Sequence, residues 1–284
     1  MNRHAREPAA PVVAALGYLK PTTERPYDYA CEPPDGRTWQ NYETSSQRVG
    51  ITDARDLLVQ PTLENEGFVL RNAPSWLSDY ADEAAIRAVY YRECADLACA
   101  VTGARKAHIF DHLVRKREAD RPALTFGRRV AGSTPAANGR VHNDYTEDSG
   151  RKRLGLVLGD PAGATAVQRY SIVNIWRSIA GPAIDTPLAV CDARTVSVTD
   201  LVPSDVHYAS RTGEIYLVAH SPRHRWLYYS AMDRHEALIF KQYDSRVSGV
   251  PRFVPHAAFD HPHTPVDAPL RESIEVRCLV VYEG

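Results

Sequence analysis

The sequence lacks an excess of charge of either sign. Its 284 residues include 34 Lys and Arg against 35 Asp and Glu, a formal net charge of −1 at pH 7. Proteins that bind nucleic acids or anionic membranes usually carry a basic surface, so we expect neither partner. No apolar run reaches the roughly 18 to 20 residues of a membrane span, and the N-terminus lacks an apolar signal-peptide core. We therefore expect a cytoplasmic protein, whose oligomeric state the sequence does not indicate.

Cysteine is scarce, and the cysteines are not spaced in pairs along the sequence. The five Cys residues are scattered, odd in number and never spaced as CxxC. This pattern argues against a disulfide scaffold and a structural zinc site, and it fits a reducing compartment. No fixed-period repeat and no clear linker divides the chain, so we predict one domain over residues 1–284.

One long stretch has helical periodicity, and short β-rich stretches follow it. Residues 75–104 place apolar side chains at i, i+3 and i+4 spacing, and Gly103 is a plausible end for this helix. The later stretches are separated by Pro, Gly, Asp and Ser, which is typical of a sandwich, jelly roll or barrel. We predict a mainly β fold with a helical buttress. Residues 1–16 are expected to be disordered, and residues 17–66 to form an irregular arm.

Connecting segments carry three further predictions. "SPRH" (221–224) is typical of a hairpin tip, and the loops at 116–139 and 260–270 are expected to form lid pieces over a pocket. "KQYDSR" suggests a surface ion pair between Lys241 and Asp244.

The stretch "RVHNDYTEDSG" (140–150) is the first chemical signal. In a strand, His142 and Asp144 point to the same face, while "TEDSG" is typical of a turn. An imidazole and a carboxylate on one face can occupy adjacent positions on a metal ion. Two histidines and one carboxylate with open positions suit non-haem Fe(II) oxygenases.

A third ligand has to come from a distant strand, and several histidines are available. The downstream histidines are His207, His220, His224, His235, His256, His261 and His263. His256 lies in "RFVPHAAF", and Arg271 follows 15 residues later in "RESIEVR". Arg271, Ser273 and Arg277 share one strand face. A guanidinium with a nearby hydroxyl can bind the far carboxylate of 2-oxoglutarate.

The order His-x-Asp, His, Arg-x-Ser accompanies a resemblance that covers nearly the whole chain. The chain resembles the Fe(II)/2-oxoglutarate oxygenase-like family that includes a fungal gibberellin desaturase, fungal hydroxylase/desaturases and a protein of the cephamycin pathway. The most family-like stretches are "VNIWR", "PLAVCDA" and "RESIEVR", within matches between residues 18 and 277.

The resemblance implies a double-stranded β-helix of the jelly-roll, cupin-like kind. It implies His142, Asp144 and His256 as iron ligands, with His224 in "HRWLYY" as the alternative third ligand. Arg271 corresponds best to the arginine that binds 2-oxoglutarate, and Arg277 is the alternative.

Other side chains are candidates for the substrate pocket. Tyr145 follows the ligand stretch, and three residues of "YSIVNIW" share a strand face, namely Tyr170, Asn174 and Trp176. Asn174 is singled out because a buried amide needs hydrogen-bonding partners.

The resemblance implies a dioxygenase that uses Fe(II), 2-oxoglutarate and O₂ to oxidise a small molecule of specialised metabolism. Hydroxylation, desaturation and ring formation are all compatible outcomes. Two alternatives remain at this point. One is a cupin-like isomerase or hydrolase that uses a metal without 2-oxoglutarate, and the other is a non-catalytic β-sandwich binding protein.

Overall fold

The computed structural model describes residues 10–118, 120, 124 and 137–283, which form fourteen strands and four α-helices. The strands are β1 (Val12–Leu19), β2 (Tyr27–Tyr29), β3 (Thr44–Asp53), β4 (Phe68–Asn72), β5 (Lys106–Lys116), β6 (His142–Asn143), β7 (Tyr170–Ser178), β8 (Leu188–Cys191), β9 (Leu201–His207), β10 (Thr212–Val218), β11 (Trp226–Tyr228), β12 (Glu236–Asp244), β13 (His256–Ala258) and β14 (Glu272–Val281). The helices are α1 (Glu83–Ala85), α2 (Tyr91–Thr102), α3 (Glu147–Leu158) and α4 (Pro161–Ala166).

The strands form two sheets that pack face to face. The larger sheet has the order β1-β3-β11-β8-β13-β6-β10-β9-β2, and the smaller has the order β4-β12-β7-β14-β5. Leu238 and Phe240 of the smaller sheet share a buried cluster with Val190 and Leu227 of the larger sheet. This arrangement is a double-stranded β-helix, so the predicted mainly β fold is confirmed.

The predicted helix covers the outer face of the smaller sheet as a buttress. Asp82 caps its start by accepting hydrogen bonds from the backbone N–H groups of Ala84 and Ala85, later than the start of the sequence pattern. A π-helical turn, Ile86–Tyr90, joins α1 to α2. The helix ends at Gly103, whose φ of 69° is left-handed, as predicted. Tyr90 and Cys94 pack against the sheet in one buried cluster.

The predicted irregular arm and the predicted disorder up to residue 16 are wrong where β1 and β3 lie. These two strands pair antiparallel from Val12 opposite Ile51 to Leu19 opposite Thr44, and β11 pairs with β3. The irregular arm was predicted from the Pro-rich stretch between these two strands. In the structure that stretch belongs to the connection and does not interrupt either strand. Residues 1–9 lie outside the described residues, and a single domain over the whole chain stays a prediction.

Two predicted turns also differ from the structure. "TEDSG" begins α3 instead of a turn, because Thr146 accepts a hydrogen bond from Ser149 N–H in a capping box. "SPRH" does not connect a hairpin, because β10 pairs with β6 and β9 whereas β11 pairs with β3 and β8.

Lys241 and Asp244 form a buried ion pair, not a surface pair. Lys241 Nζ lies 2.9 Å from Asp244 Oδ2, and both side chains are at most 5% exposed. The alternating pattern misled here because β12 lies between β4 and β7 and its register shifts after Lys241. Arg169 also pairs with Asp244, at 3.1 Å, so the buried carboxylate has two cationic partners.

The predicted lid at 116–139 falls largely outside the described residues. The loop at 260–270 connects β13 to β14, and Asp260 accepts a hydrogen bond of 2.7 Å from Arg117. A lid role for either loop stays a prediction. No helix in the described part of the chain is long and apolar enough to cross a membrane.

Candidate active site

His142, Asp144 and His256 meet between the two sheets. β6 and β13 are antiparallel neighbours, so His142 lies directly opposite His256, with ring centroids 4.3 Å apart. Asp144 follows β6, and its Oδ1 is 3.5 Å from His142 Nε2. One ligand atom from each residue lies within 4.8 Å of the others, the only such group of three among the described residues. Two imidazoles and one carboxylate form a donor set that suits Fe(II) with open positions.

The imidazole of His142 is oriented by a backbone hydrogen bond. Its Nδ1–H donates to the carbonyl of Arg140 at 2.8 Å, which leaves the Nε2 lone pair available to a metal ion. Burial, together with the neighbouring His256, lowers the pKa of His142 well below its ordinary value. A neutral imidazole is the form that binds a metal.

The carboxylate of Asp144 is oriented from the smaller sheet. Its Oδ2 accepts hydrogen bonds from Asn174 Nδ2 at 2.8 Å and from Arg277 Nε at 3.0 Å, which leaves Oδ1 beside His142. Burial raises the pKa of Asp144, but Arg277 and the two histidines outweigh it and hold this pKa below its usual value. The carboxylate is therefore ionised and directed at the point that the histidines share.

Asn143 and Gln242 join the two segments that carry the ligands. Gln242 Oε1 accepts from Asp144 N–H at 2.7 Å, and its Nε2 donates to the carbonyl of Val254, two residues before His256, at 3.0 Å. Asn143 Oδ1 accepts from Val254 N–H at 3.1 Å, and its Nδ2 donates to the carbonyl of Gln242 at 2.9 Å. Both side chains are fully buried. We call Asn143 and Gln242 the amide bridge.

A cleft leads from the two histidines to Arg271. It is lined by Arg115, Asn138, His142, Trp176, His256, Arg271, Ser273 and Glu275, among others. Arg271 is 2% exposed, and its Nη1 donates to the carbonyl of Thr186 at 2.9 Å. Its Nε is buried and has no acceptor among the described residues, and the guanidinium lies 5.7 Å from the centroid of the Trp176 ring. We call this the Arg271 cleft.

The charge of Arg271 is poorly compensated. Burial first, and then the charge of Arg115, lower the pKa of Arg271 to about 9. An anion in the cleft would offset both effects and supply an acceptor to the buried Nε. The residues at this end of the site therefore fit a carboxylate.

Arg277, the other predicted 2-oxoglutarate residue, has no free hydrogen-bonding direction of this kind. Besides Asp144, it donates through Nη1 to Asp111 Oδ2 at 2.8 Å and through Nη2 to Glu275 Oε1 at 3.3 Å. These carboxylates raise its pKa well above the ordinary value despite burial. Arg277 therefore orients Asp144 and is already paired.

A second cleft reaches the site from the side of Asp144. Its volume is about 100 Å³, and its lining includes Asp144, Tyr145, Arg153, Tyr208, Arg211 and Arg277. We call it the Arg153 cleft. Of the predicted pocket residues, Tyr145 lines this cleft and Trp176 lines the Arg271 cleft, whereas Asn174 contacts the carboxylate of Asp144.

Two predicted residues lie away from the site. Tyr170 packs on Tyr243, with ring centroids 5.5 Å apart, and donates to the carbonyl of Gly150 at 3.3 Å. His224 is stacked on Tyr18, and its two ring nitrogens contact Tyr18 Oη at 3.0 Å and Asp200 Oδ2 at 3.2 Å. His224 is therefore not the third member of the group around Asp144.

Comparison with known proteins assigns the chain to a family. A family model described as an oxidoreductase/YMDC permease-like domain matches residues 16–281. The Fe(II)/2-oxoglutarate-dependent dioxygenase nvfI of Aspergillus novofumigatus (strain IBT 16806) is 33% identical over 261 residues, 89% of each chain. The chain belongs to the Fe(II)/2-oxoglutarate-dependent dioxygenase family.

Other relatives agree with this assignment. The hydroxylase/desaturase efuI of Hormonema carpetanum is 33% identical over 263 residues, 87% of each chain. A solved structure of the iron and alpha-ketoglutarate-dependent endoperoxidase NvfI matches with a TM-score of 0.82 and 29% identity, over 96% of this chain and 98% of that one. The predicted enzyme class, the predicted fold and the predicted cofactors Fe(II), 2-oxoglutarate and O₂ are confirmed at the level of the family.

Neither residue of the amide bridge was predicted from the sequence of this dioxygenase, whereas Asn174 and Arg277, which orient Asp144, were predicted in other roles. Asn143 lies between two predicted ligands, and Gln242 lies in a strand that was predicted for its apolar pattern alone. A polar side chain within an otherwise apolar buried strand is the available signal, because a buried amide requires partners. Gln242 meets that criterion in "LIFKQY".

Proposed function

We propose that this dioxygenase binds Fe(II) through His142, Asp144 and His256 and binds 2-oxoglutarate in the Arg271 cleft. The observation that carries the proposal is the meeting of this triad with a buried guanidinium whose Nε has no acceptor. The carboxylate of 2-oxoglutarate far from the metal would pair with Arg271, and the Ser273 side chain lines the same cleft. The cleft has a volume of about 20 Å³, so its side chains must move apart to admit a dicarboxylate.

When bound, Fe(II) with 2-oxoglutarate and O₂ supplies the oxidation of an unactivated C–H bond. The chain supplies orientation around that chemistry. The Arg140 carbonyl holds the tautomer of His142, and Asn174 and Arg277 hold one oxygen of Asp144, so the other oxygen would be left to bind Fe(II). Arg271 aligns the co-substrate on the histidine side and thereby leaves the Asp144 side open to the molecule that is oxidised.

We infer that the substrate is a small molecule of specialised metabolism, oxidised by hydroxylation, desaturation or ring formation. Support comes from the relatives, which include proteins named hydroxylase/desaturase and endoperoxidase. We also infer a cytoplasmic location, which is supported by five free cysteines, three of them buried.

Anaerobic absorption spectroscopy tests the co-substrate assignment. Purified protein receives Fe(II) and then 2-oxoglutarate, and the weak visible metal-to-ligand charge-transfer band is recorded. We expect the band in the wild type and its loss in His142→Ala. Metal binding without any spectral response to 2-oxoglutarate would contradict the proposed function and favour a metal enzyme that needs no 2-oxoglutarate.

A further inference from the structure

The Arg153 cleft and the Arg271 cleft reach the group of His142, Asp144 and His256 through different residues. Asp144 lines this cleft, whereas His142 and His256 line the Arg271 cleft. A molecule in the Arg153 cleft can therefore approach the metal position while 2-oxoglutarate is bound. Given the proposed function, on which this inference rests, the Arg153 cleft is the place for the molecule that is oxidised.

The carboxylates along the Arg153 cleft are already paired. Arg277 pairs with Asp144 at 3.0 Å and with Asp111 at 2.8 Å. Glu214 accepts hydrogen bonds from Arg25 and from the Thr146 hydroxyl. The cleft therefore presents no unpaired carboxylate that would repel an anionic ligand, within the part of the chain that the structure describes.

Two guanidinium groups of the same cleft, in contrast, have aromatic neighbours and no carboxylate partner. Arg153 lies 4.9 Å from the ring centroid of Phe110 and 5.6 Å from that of Tyr145, and Arg211 lies 4.0 Å from that of Tyr208. Neither arginine forms an ion pair within the part of the chain that the structure describes. Arg153 Nε is buried and has no acceptor in the described ranges of the chain, whereas Arg211 is exposed at the rim.

A buried donor without an acceptor costs free energy that a ligand acceptor would recover. Aromatic faces fix the plane of the Arg153 guanidinium, and a fixed fork of donors suits a carboxylate. We propose that Arg153 binds a carboxylate group of the substrate and that Arg211 adds positive charge at the rim. The substrate is thus a small organic acid, with its carboxylate beside Arg153 and the carbon that is oxidised nearer Asp144.

Calorimetric titration of the holoprotein tests this proposal with benzoate and its neutral analogue benzamide. Fe(II) is present under anaerobic conditions, and 2-oxoglutarate is saturating so that Arg271 is occupied. The variants are Arg153→Met, Arg153→Lys and Arg151→Met. Arg151 is the matched control because it lies on the same helix, is exposed and pairs with Glu147. Arg153→Lys keeps the charge and removes only the planar fork.

We expect the wild type and Arg151→Met to bind benzoate at least about tenfold more tightly than benzamide, since a hydrogen bond to a charged group is a strong one. Arg153→Met should lose this preference, and Arg153→Lys should keep part of it. The proposal is overturned if the wild type shows no saturable binding of benzoate or no preference, or if Arg153→Met keeps the full preference.

The charge-transfer band, recorded on the same samples, separates this proposal from the proposed function. If the band appears in the wild type and in all three variants, a missing preference contradicts only the role of Arg153. If the band is absent from the wild type, the proposed function itself fails. The band also shows that each variant retains a folded site.

Discussion

Arg271, the residue before β14, and Arg277, within β14, differ in how completely they are paired. Arg277 donates to three carboxylates, including that of Asp144, a proposed metal ligand. Arg271, six residues earlier, has a backbone carbonyl partner and a buried Nε without an acceptor. The same side chain type therefore has two different environments within seven residues of chain. Arg277 holds the carboxylate of Asp144 in place, whereas Arg271 is the arginine that we propose to bind an anion.

The largest effect should come from removing the carboxylate of Asp144, which is both a proposed metal ligand and a partner of Arg277. We expect Asp144→Ala to lose more Fe(II) affinity than the roughly 10- to 100-fold that follows loss of an outer partner of a ligand. Anaerobic Fe(II) titration measures the affinity. His224→Asn is the control, because His224 contacts Tyr18 and Asp200 instead of the triad. If Asp144→Ala bound Fe(II) as tightly as the wild type, Asp144 would not be a metal ligand. Arg277 would then have no metal ligand to orient, and its contrast with Arg271 would be lost.

Exchange of the two arginines for methionine tests the comparison directly. With saturating Fe(II), Arg271→Met should weaken 2-oxoglutarate binding roughly 30- to 5,000-fold, the equivalent of about 2–5 kcal/mol for loss of one partner of a buried charge pair. Fe(II) affinity should stay near that of the wild type. Arg277→Met should instead lower Fe(II) affinity, because Asp144 Oδ2 keeps only Asn174 as a side-chain partner.

The assignment of the two arginines would be contradicted if each variant showed the effect expected of the other. If Arg277→Met lost 2-oxoglutarate binding while Arg271→Met retained it, the assignment of the co-substrate arginine would move to Arg277. Parallel measurements of both affinities on both variants are therefore needed.

The amide bridge should have an intermediate effect. Gln242→Leu keeps the approximate volume but leaves Asp144 N–H and the Val254 carbonyl without their side-chain partner. We expect Fe(II) affinity to fall roughly 10-fold or more, with a shifted charge-transfer band, as for other outer partners of a metal ligand. Gln47→Leu, at a half-buried position of β3 where the side chain donates to the Ser45 hydroxyl, should leave both quantities unchanged. An unshifted band in Gln242→Leu would show that the bridge supports the fold alone.

The sequence predicted the parts of the site that repeat a short local pattern. His142 and Asp144 share a strand face by spacing alone, and the strand of Arg271 and Arg277 follows from alternation. The choice between His256 and His224 required the pairing of β13 with β6, because strand pairing across more than one hundred residues leaves no trace in local spacing. The choice between Arg271 and Arg277 likewise required their partners, which come from other strands.

Predictions from local sequence patterns were wrong where two different patterns lie side by side in the sequence. The strands β1 and β3 flank a Pro-rich connection, and their pairing with each other and with β11 outweighs the weak pattern of each strand. The start of α3 contains Asp, Ser and Gly, which are typical of turns, although Thr146 and Ser149 also match a capping box. Tertiary pairing and capping decided these elements.

The smallest effects should come from substitution of two glycines in α3, the helix that carries Arg153. This helix lines the Arg153 cleft, which Arg277 also lines. A Cβ at Gly150 would lie 2.4 Å from Cδ2 of Tyr243, so Gly150→Ala should lower the free energy of unfolding by about 1–3 kcal/mol. Gly155, on the same helix, has no neighbour within 4 Å, so Gly155→Ala should raise it by about 0.5–1 kcal/mol. Urea unfolding measures both changes.

The same pair of variants sharpens the contrast between the two arginines. Displacement of α3 by Gly150→Ala should disturb the Arg153 cleft, which Ser149 and Arg277 line, while leaving the Arg271 cleft intact. Benzoate affinity should therefore fall in Gly150→Ala, whereas 2-oxoglutarate affinity should match that of Gly155→Ala and the wild type. If Gly150→Ala lowered the affinities for benzoate and for 2-oxoglutarate equally, the two clefts would not be independent. The surroundings of Arg271 and of Arg277 would then respond together to the packing of α3.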